Sequence, residues 1–111
     1  MNMRKKRNDR NHIIYQITCL KTKETYIGLT LQTGQKKIGS AKIRLKSHIS
    51  RANNGGGWKL HERIREVGSQ YFITEVLDVV RGKLAAHKKE VEYINQLKPQ
   101  LNMKKTYGNR L

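Results

Sequence analysis

The sequence predicts an α+β domain in which a small three-stranded antiparallel sheet is flanked by helices, in the order β-β-α-α-β-α. Two short runs rich in isoleucine, tyrosine and threonine are separated by a polar turn, and a third such run lies far downstream. Three longer segments carry residues that start and stop helices. The 111 residues are enough for one domain with one modest hydrophobic core.

The first two strands are predicted at residues 13–20 and 25–29, and the polar "KTKE" between them favours a β-hairpin. Side chains alternate along a strand, so Tyr15 shares a face with the odd-numbered residues of its strand, and Tyr26 shares a face with Gly28. The hairpin is therefore expected to bring the two tyrosines beside each other.

Two helices are predicted between the hairpin and the third strand. A loop over residues 30–39 is followed by Ser40, which is expected to cap a helix over residues 41–52 that ends at "NNGGG". The second helix, over residues 58–67, has apolar residues at i, i+4 and i+7, and Gly68 follows it as a stop signal.

The third strand is predicted over residues 71–80 and the third helix over residues 82–97, before Pro99. The expected apolar stripe of this helix consists of Leu84, Val91, Ile94 and Leu97. Glu90 lies at the margin of the stripe, whereas Glu92 lies roughly 200 degrees around the helix from it. Glu90 is therefore expected to point inward, as a salt-bridge partner, which the pattern alone favours, or as a ligand for a hard divalent ion.

The charge of the chain indicates a polyanionic partner. Lysine and arginine number 24 against 8 acidic residues, which gives a formal net charge of +16 spread along the whole sequence. That distribution suits a nucleic-acid track. A membrane surface is the rival polyanion, but no stretch approaches about 18 apolar residues and no amphipathic segment has a wholly basic face. Nucleic acid, and not a membrane, is therefore the expected partner.

Several common kinds of site are excluded by the sequence. The single cysteine, Cys19, rules out an intramolecular disulfide and the usual zinc clusters, and no apolar segment of a secretory signal follows the basic start. The four histidines have no paired metal-ligand spacing, and no P-loop, GxGxxG or Gly-x-Ser-x-Gly motif is present. A cytoplasmic location, in a bacterial host cell if the chain is encoded by a phage or mobile element, is expected.

Arg44 and His48 are four residues apart and so lie above one another on the first helix. A guanidinium above an imidazole can bind a phosphate and take part in proton movement, which suits phosphodiester hydrolysis. A solvated basic helix face is the alternative interpretation, and spacing alone favours it.

In combination these motifs resemble the GIY-YIG nuclease family. "IIY" at residues 13–15 stands where the family has Gly-Ile-Tyr, and "YIG" at residues 26–28 fits the second motif. "RLKSH" offers the family's arginine as Arg44 with a histidine one turn later, and "EVEYINQLKPQLN" offers a metal-binding glutamate and the closing asparagine, Asn102. The similarity is nearest to phage homing endonucleases and extends over about residues 12–102.

The resemblance implies a metal-dependent DNA endonuclease that hydrolyses phosphodiester bonds with one metal ion. Tyr15 and Tyr26 would form the floor of the site, and Tyr15 is favoured as the group that helps to deprotonate the attacking water. His48 would accept a proton from the tyrosine or the water. Arg44 would steady the pentavalent phosphate.

Three further roles are implied for the residues around this centre. Glu90 would hold one Mg²⁺, with Mn²⁺ as a substitute, on the phosphate and the leaving oxygen. Asn102 would act as a supporting or phosphate-orienting group. Gly28 would leave the backbone open to close approach.

The expected organisation is a basic arm over residues 1–11, the nuclease domain over residues 12–103 and a basic tail over residues 104–111. Duplex DNA would be contacted by the arm, the long loop and the helix faces, and a homodimer would add specificity. The residues expected to contact DNA are Arg4, Lys5, Lys6, Arg7, Lys36, Lys37, Lys42, Lys46 and Arg51.

Two other functions remain compatible with the sequence. A catalytically silent nucleic-acid-binding module needs only the positive charge, and not Arg44, Glu90 and Asn102 at their positions. An RNA nuclease would use the same catalytic groups on an RNA substrate. Cleavage of DNA in the presence of Mg²⁺ distinguishes these functions from the proposed one.

Overall fold

The computed structural model describes residues 10–34 and 36–102 and confirms the predicted α+β fold and its element order. The elements are β1 (Asn11–Cys19), β2 (Thr25–Leu31), α1 (Lys37–Asn53), α2 (Lys59–Val67), β3 (Phe72–Arg81) and α3 (Lys83–Leu97). The strands form one antiparallel sheet in the order β2-β1-β3, so β1 is central. Among the described residues, no helix is both long enough and apolar enough to cross a membrane.

Helices cover both faces of the sheet. The odd-numbered residues of β1, from Ile13 to Cys19, form the main core with apolar residues of α1 and α2. Ile14 alternates to the opposite face and is also fully buried. On that face the Tyr93 hydroxyl of α3 donates to an Asp78 carboxylate oxygen at 3.1 Å, and Asp78 is paired with Ile14. The central strand is therefore shielded on both sides, as its continuous burial requires.

The last residue of the predicted basic arm belongs to the sheet, and the residue before it is hydrogen-bonded to the backbone after β3. Asn11 begins β1 and pairs with Arg81, and the Arg10 carbonyl accepts a hydrogen bond from the Gly82 N–H at 3.0 Å. Residues 1–9 and the predicted tail at 104–111 lie outside the described residues.

The prediction that Ser40 caps the first helix is wrong. The helix begins at Lys37, after Lys36, and Ser40 is buried within its first turn. The Ser40 hydroxyl accepts a hydrogen bond from the Thr33 N–H at 2.9 Å and donates to the Thr33 carbonyl at 3.2 Å. The serine thus bonds to backbone, as short polar side chains often do, but it ties the preceding loop to the helix and does not start the helix.

The predicted apolar stripe of α3 is also wrong in most of its members. Three of its residues are exposed, Leu84 by 85%, Val91 by 53% and Leu97 by 49%. The inward face instead carries the fully buried Ala86 and the half-buried Glu90, Tyr93 and Ile94. A small alanine permits close approach to the sheet, and the hydrogen bond of Tyr93 to Asp78 fixes the rotation of the helix about its axis.

Candidate active site

The hairpin brings the two tyrosines together as predicted. Tyr15 is paired with Gly28 and Tyr26 is paired with Ile17, so the two phenols are diagonal neighbours on one face of the sheet. Their ring centroids are 6.3 Å apart with the planes inclined by 45°. The pairing of β1 with β3 shifts register between Ile14 and Tyr15, and such irregularities are common beside active sites because they change the direction of a side chain.

Gly28 makes room for the ring of Tyr15. A Cβ at position 28 would lie 2.4 Å from both Cζ and Oη of Tyr15, so the phenol crosses directly over the glycine backbone. The space that the missing side chain leaves is therefore filled by the protein itself. This differs from the sequence-based expectation that Gly28 keeps the backbone open for close approach of the substrate.

His48 is fully buried against Tyr15. Its Nε2 lies 3.1 Å from the Tyr15 hydroxyl oxygen, which is hydrogen-bonding distance. Burial, followed by the positive charge of Arg44, lowers the pKa of His48 to about 3, so the imidazole is neutral at physiological pH. The interpretation of this helix face as a solvated basic surface is therefore wrong at His48.

Arg44 lies one turn before His48 and is half-buried. Its Nε is buried and has no hydrogen-bond partner among the described residues. A buried guanidinium nitrogen without a partner is costly unless a ligand satisfies it, and phosphate oxygens match the geometry of a guanidinium. The arginine is therefore placed to take an anionic ligand at the tyrosine pair.

The two phenols differ in how readily they lose a proton. Burial raises the pKa of Tyr15, but the guanidinium of Arg44 and the hydroxyl of Tyr26 act in the opposite direction. Burial also raises the pKa of Tyr26, and the negative charges of Tyr15 and Glu90 add to that increase. The pKa of both phenols is thus raised, but at Tyr15 two neighbouring groups act against the rise, whereas at Tyr26 two negative charges add to it.

Glu90 points inward from α3, as helical geometry predicted, whereas Glu92 points outward. The Glu90 side chain is 19% exposed, and burial raises its pKa, an increase that the charge of a protonated His87 would reduce. Its one ionic neighbour in the described residues is His87, with Nδ1 3.8 Å from Oε1 of Glu90. The His87 ring carries a charge only when it is protonated. Glu92 is 62% exposed and pairs with Lys89 at 3.6 Å.

The charge of Glu90 acts on the tyrosine pair, because it raises the pKa of both Tyr15 and Tyr26. The salt bridge that the sequence pattern alone favoured takes the form of the contact with His87. Within the described residues, no lysine or arginine pairs with the Glu90 carboxylate.

Asn102 supports the strand that carries the second tyrosine. Its Oδ1 accepts a hydrogen bond from the Ile27 N–H at 2.7 Å, and its Nδ2 donates to the Ile27 carbonyl at 2.9 Å. The side-chain amide thus pairs with the free edge of β2 between Tyr26 and Gly28, as an additional strand would. Of the two roles expected for Asn102, this contact fits a supporting one.

Two aromatic residues of the site were missed by the sequence analysis. His61 of α2 is buried, with its Nε2 3.2 Å from Nδ1 of His48. Trp58 stacks on His61 with ring centroids 5.0 Å apart and planes within 6°, and it is 44% exposed. The signal for His61 was its spacing from Ile64, because residues three apart share a helix face.

The predicted DNA-contacting residues that the structure describes are all exposed: Lys36, Lys37, Lys42, Lys46 and Arg51. Four of them belong to α1, the helix that also supplies the arginine and histidine of the site. The remaining four, Arg4, Lys5, Lys6 and Arg7, lie outside the described residues. Positive charge is thus presented on the same helix as the candidate catalytic groups.

No protein-family model, curated protein or solved structure matches the chain. The resemblance to GIY-YIG nucleases therefore stays a prediction from the motifs. Within the described residues, no three His, Cys, Asp or Glu side chains come together to form a metal site made of protein groups alone. Any hard cation would have to be held by Glu90 together with water and substrate oxygens.

Proposed function

We propose that this protein is a Mg²⁺-dependent DNA endonuclease of the GIY-YIG type. The observation that carries the proposal is the arrangement around the Tyr15 hydroxyl. His48 lies 3.1 Å from it, and Arg44 and Tyr26 both influence its ionisation. A buried phenol, a neutral histidine and an arginine whose Nε has no partner among the described residues have little reason to meet in a purely structural core.

The reaction that suits these groups is hydrolysis of a phosphodiester by water. Tyr15, as phenolate, accepts a proton from the attacking water. Burial raises the pKa of both phenols, but Arg44 and Tyr26 act against the rise at Tyr15, whereas the charges of Tyr15 and Glu90 add to the rise at Tyr26. Arg44, which is half-buried, binds the phosphate and stabilises the added charge of the pentavalent phosphorus. Tyr26 and Arg44 form the partly exposed side of the site, and the attacking water has to reach the buried hydroxyl of Tyr15 past them.

Glu90 would hold the divalent ion. One carboxylate is enough, because Mg²⁺ commonly keeps several waters and takes the remaining ligands from substrate phosphate. The fit is supported by the half-burial of Glu90, by its influence on both tyrosines, and by the absence of a lysine or arginine partner among the described residues. When bound, the ion supplies Lewis-acid stabilisation of the phosphate and of the leaving oxygen. Mn²⁺ has similar ligand preferences and is the expected substitute.

The substrate is expected to be duplex DNA. The net charge of +16 and the exposed lysines of α1 favour a long polyanion, and a homodimer would let two sites act on the two strands. The proposed compartment is the cytoplasm, where the buried thiol of Cys19 would stay reduced.

The experiment compares wild type with Glu90→Gln and Glu92→Gln. Supercoiled plasmid is incubated with each protein in Mg²⁺ and in EDTA, and DNA affinity and thermal melting are measured in parallel. Glu90→Gln is expected to bind DNA and to melt as wild type does but to cut at least a hundredfold more slowly, since it removes the charge that holds the ion. Glu92→Gln is the matched control, with cleavage near wild type.

Other outcomes identify the alternatives. A silent binding module shifts the plasmid in a gel but never relaxes or linearises it under any metal. An RNA nuclease degrades a structured RNA and leaves the plasmid intact. Equal cleavage by wild type and Glu90→Gln would remove Glu90 from the proposed metal site.

A further inference from the structure

Three buried polar groups form a continuous hydrogen-bonded row from the sheet into α2. The Tyr15 hydroxyl lies 3.1 Å from Nε2 of His48, and Nδ1 of His48 lies 3.2 Å from Nε2 of His61. Both imidazoles are buried. The row therefore continues the candidate site beyond the residues that the motifs contain.

Both histidines are neutral at physiological pH. Burial and the charges of Arg51 and Arg65 lower the pKa of His61, and the pKa of His48 is about 3. A neutral imidazole has one N–H and one bare nitrogen, so each ring donates at one end and accepts at the other. The row consequently has two arrangements: all donors point toward Tyr15, or all donors point away from it.

The far end of the row decides between these arrangements. Nδ1 of His61 is buried and has no hydrogen-bond partner among the described residues. It faces Gly56 so closely that a Cβ at that position would lie 2.4 Å from it, so the glycine backbone occupies the place of a partner. Two nearby carbonyls already accept hydrogen bonds. That of Arg51, in α1, accepts from the Gly56 N–H, and that of Gly56 accepts from Nη1 of Arg65, both at 2.8 Å.

An N–H at this position would be a buried donor facing a C–H group, whereas a bare nitrogen would leave only a lone pair unmatched. Buried N–H groups without acceptors are rarer in proteins than acceptors without donors. The positive charges of Arg51 and Arg65 also favour a lone pair over an N–H dipole on this side of the ring. The proton of His61 is therefore on Nε2.

We propose that His61 is a positioning residue: it donates from Nε2 to Nδ1 of His48 and thereby holds His48 as a hydrogen-bond donor to the oxygen of Tyr15. In that tautomer His48 cannot accept the tyrosine proton, contrary to the expectation from the motifs. The Tyr15 proton would therefore leave to solvent, and His48 would stabilise the remaining phenolate together with Arg44 and Tyr26. The catalytic meaning of this arrangement rests on the proposed nuclease function, but the tautomer itself does not.

A second structural feature supports a dedicated role for His61. The loop against its Nδ1 is held by specific bonds, since Arg65 donates to the carbonyls of both Ala52 and Gly56 at 2.8 Å. Trp58 stacks on a face of the same ring. The orientation of the imidazole is thus fixed from the loop and from the start of α2, as is required of a residue that sets the tautomer of another.

The test is ¹⁵N NMR of the histidine rings in the full chain, because protonated and bare imidazole nitrogens have well-separated shifts. Wild type is expected to show a bare Nδ1 and a protonated Nε2 on both His48 and His61. His61→Glu places a carboxylate that can only accept, so His48 is expected to become protonated at Nδ1. His61→Gln can donate from its amide and is expected to keep the wild-type tautomer of His48. His87→Gln, at an exposed histidine of α3, is the control for assignment and folding.

The effect of the His61 substitutions on function is measured by plasmid cleavage. His61→Glu is expected to lose roughly tenfold or more in cleavage rate at unchanged DNA affinity, and His61→Gln to retain most of the rate. A protonated Nδ1 on wild-type His48 would overturn the proposal, whether or not the protein cuts DNA. If NMR shows the predicted tautomer but the protein cuts no nucleic acid, the tautomer proposal stands and the proposed nuclease function is wrong. If His61→Glu does not fold, the wild-type and His61→Gln spectra still decide the question.

Discussion

The contact between Gly28 and Tyr15 makes a strong prediction for Gly28→Ala. Its new methyl carbon would lie 2.4 Å from Cζ and Oη of Tyr15. Carbon atoms in contact prefer separations of about 3.5 to 4 Å, so the ring has to move by about 1 Å or more. Tyr15 is buried on all sides and its hydroxyl lies 3.1 Å from His48, so such a shift disturbs both packing and the hydrogen bond.

The expected cost has two parts. Forcing an extra methyl group into a well-packed core costs about 1 to 3 kcal/mol, and loss of the buried hydrogen bond adds about 1 kcal/mol. We therefore expect Gly28→Ala to lower the free energy of unfolding by about 2 to 4 kcal/mol. The rate of plasmid cleavage should fall by more than the loss of folded protein explains, because Tyr15 is displaced from its position beside His48 and Arg44.

Urea unfolding and a double-mutant cycle with Tyr15→Ala test this reasoning. In the Tyr15→Ala background the ring is absent, so Gly28→Ala should cost less than about 0.5 kcal/mol, and the coupling energy should account for most of the single-mutant effect. Gly39→Ala is the matched control, because its Cβ would meet only Lys36 Cβ at 3.8 Å, within a helix where alanine is favoured.

Two results would refute the account of Gly28. Wild-type stability in Gly28→Ala would mean that the ring does not cross the glycine. An equal cost in the presence and absence of the Tyr15 ring would mean that the glycine is needed for the strand itself and not for the tyrosine.

Two further predictions concern acid stability and salt. The pKa of His48 is about 3 in the folded protein and about 6.5 in the unfolded chain, so the unfolded chain takes up the proton first as the pH falls. The stability that the neutral His48 contributes is therefore lost between about pH 6.5 and 3, at up to about 1.4 kcal/mol per pH unit. Urea unfolding at pH 7, 5.5 and 4.5 should show a steeper decline for wild type than for His48→Gln, and parallel declines would contradict the buried neutral histidine. DNA affinity should depend strongly on salt, and Lys42→Gln with Lys46→Gln should reduce the log–log slope by about 1.8, against no change for Lys89→Gln.

The sequence was most informative where local rules determine the structure. Alternation of side chains along two short strands joined by a polar turn was enough to place Tyr15 and Tyr26 on one face. Because Arg44 and His48 are four residues apart, helical geometry placed them on one side of α1. The sequence could not show that this side is buried. Burial depends on how the helix packs on the sheet, and a basic helix with exposed lysines on its other faces has the same local pattern as a solvated one.

The error at α3 has a different physical origin. Periodicity identifies a stripe of large apolar residues, but the helix rotates to place the small Ala86 against the sheet and to let Tyr93 reach Asp78. The choice is made by a tertiary hydrogen bond and by shape, which outweigh the burial of Leu84. Glu90 was nevertheless placed correctly, because it lies within the inward arc for either rotation.

The contacts of the site that no motif indicated are those in which distant segments meet. His61 is thirteen residues from His48, and Asn102 is seventy-five residues from the backbone of Ile27 that it binds. Each acts on a motif residue through one further group: His61 through the imidazole of His48, and Asn102 through the strand between Tyr26 and Gly28. Because such partners need only supply a donor or an acceptor at the right place, several residue types can perform the task at several positions. The tyrosine, arginine and glutamate of the centre have no such freedom, since their chemistry is specific. This difference explains why the central residues can be identified in a single sequence, whereas the role of His61 and the contact that Asn102 makes cannot.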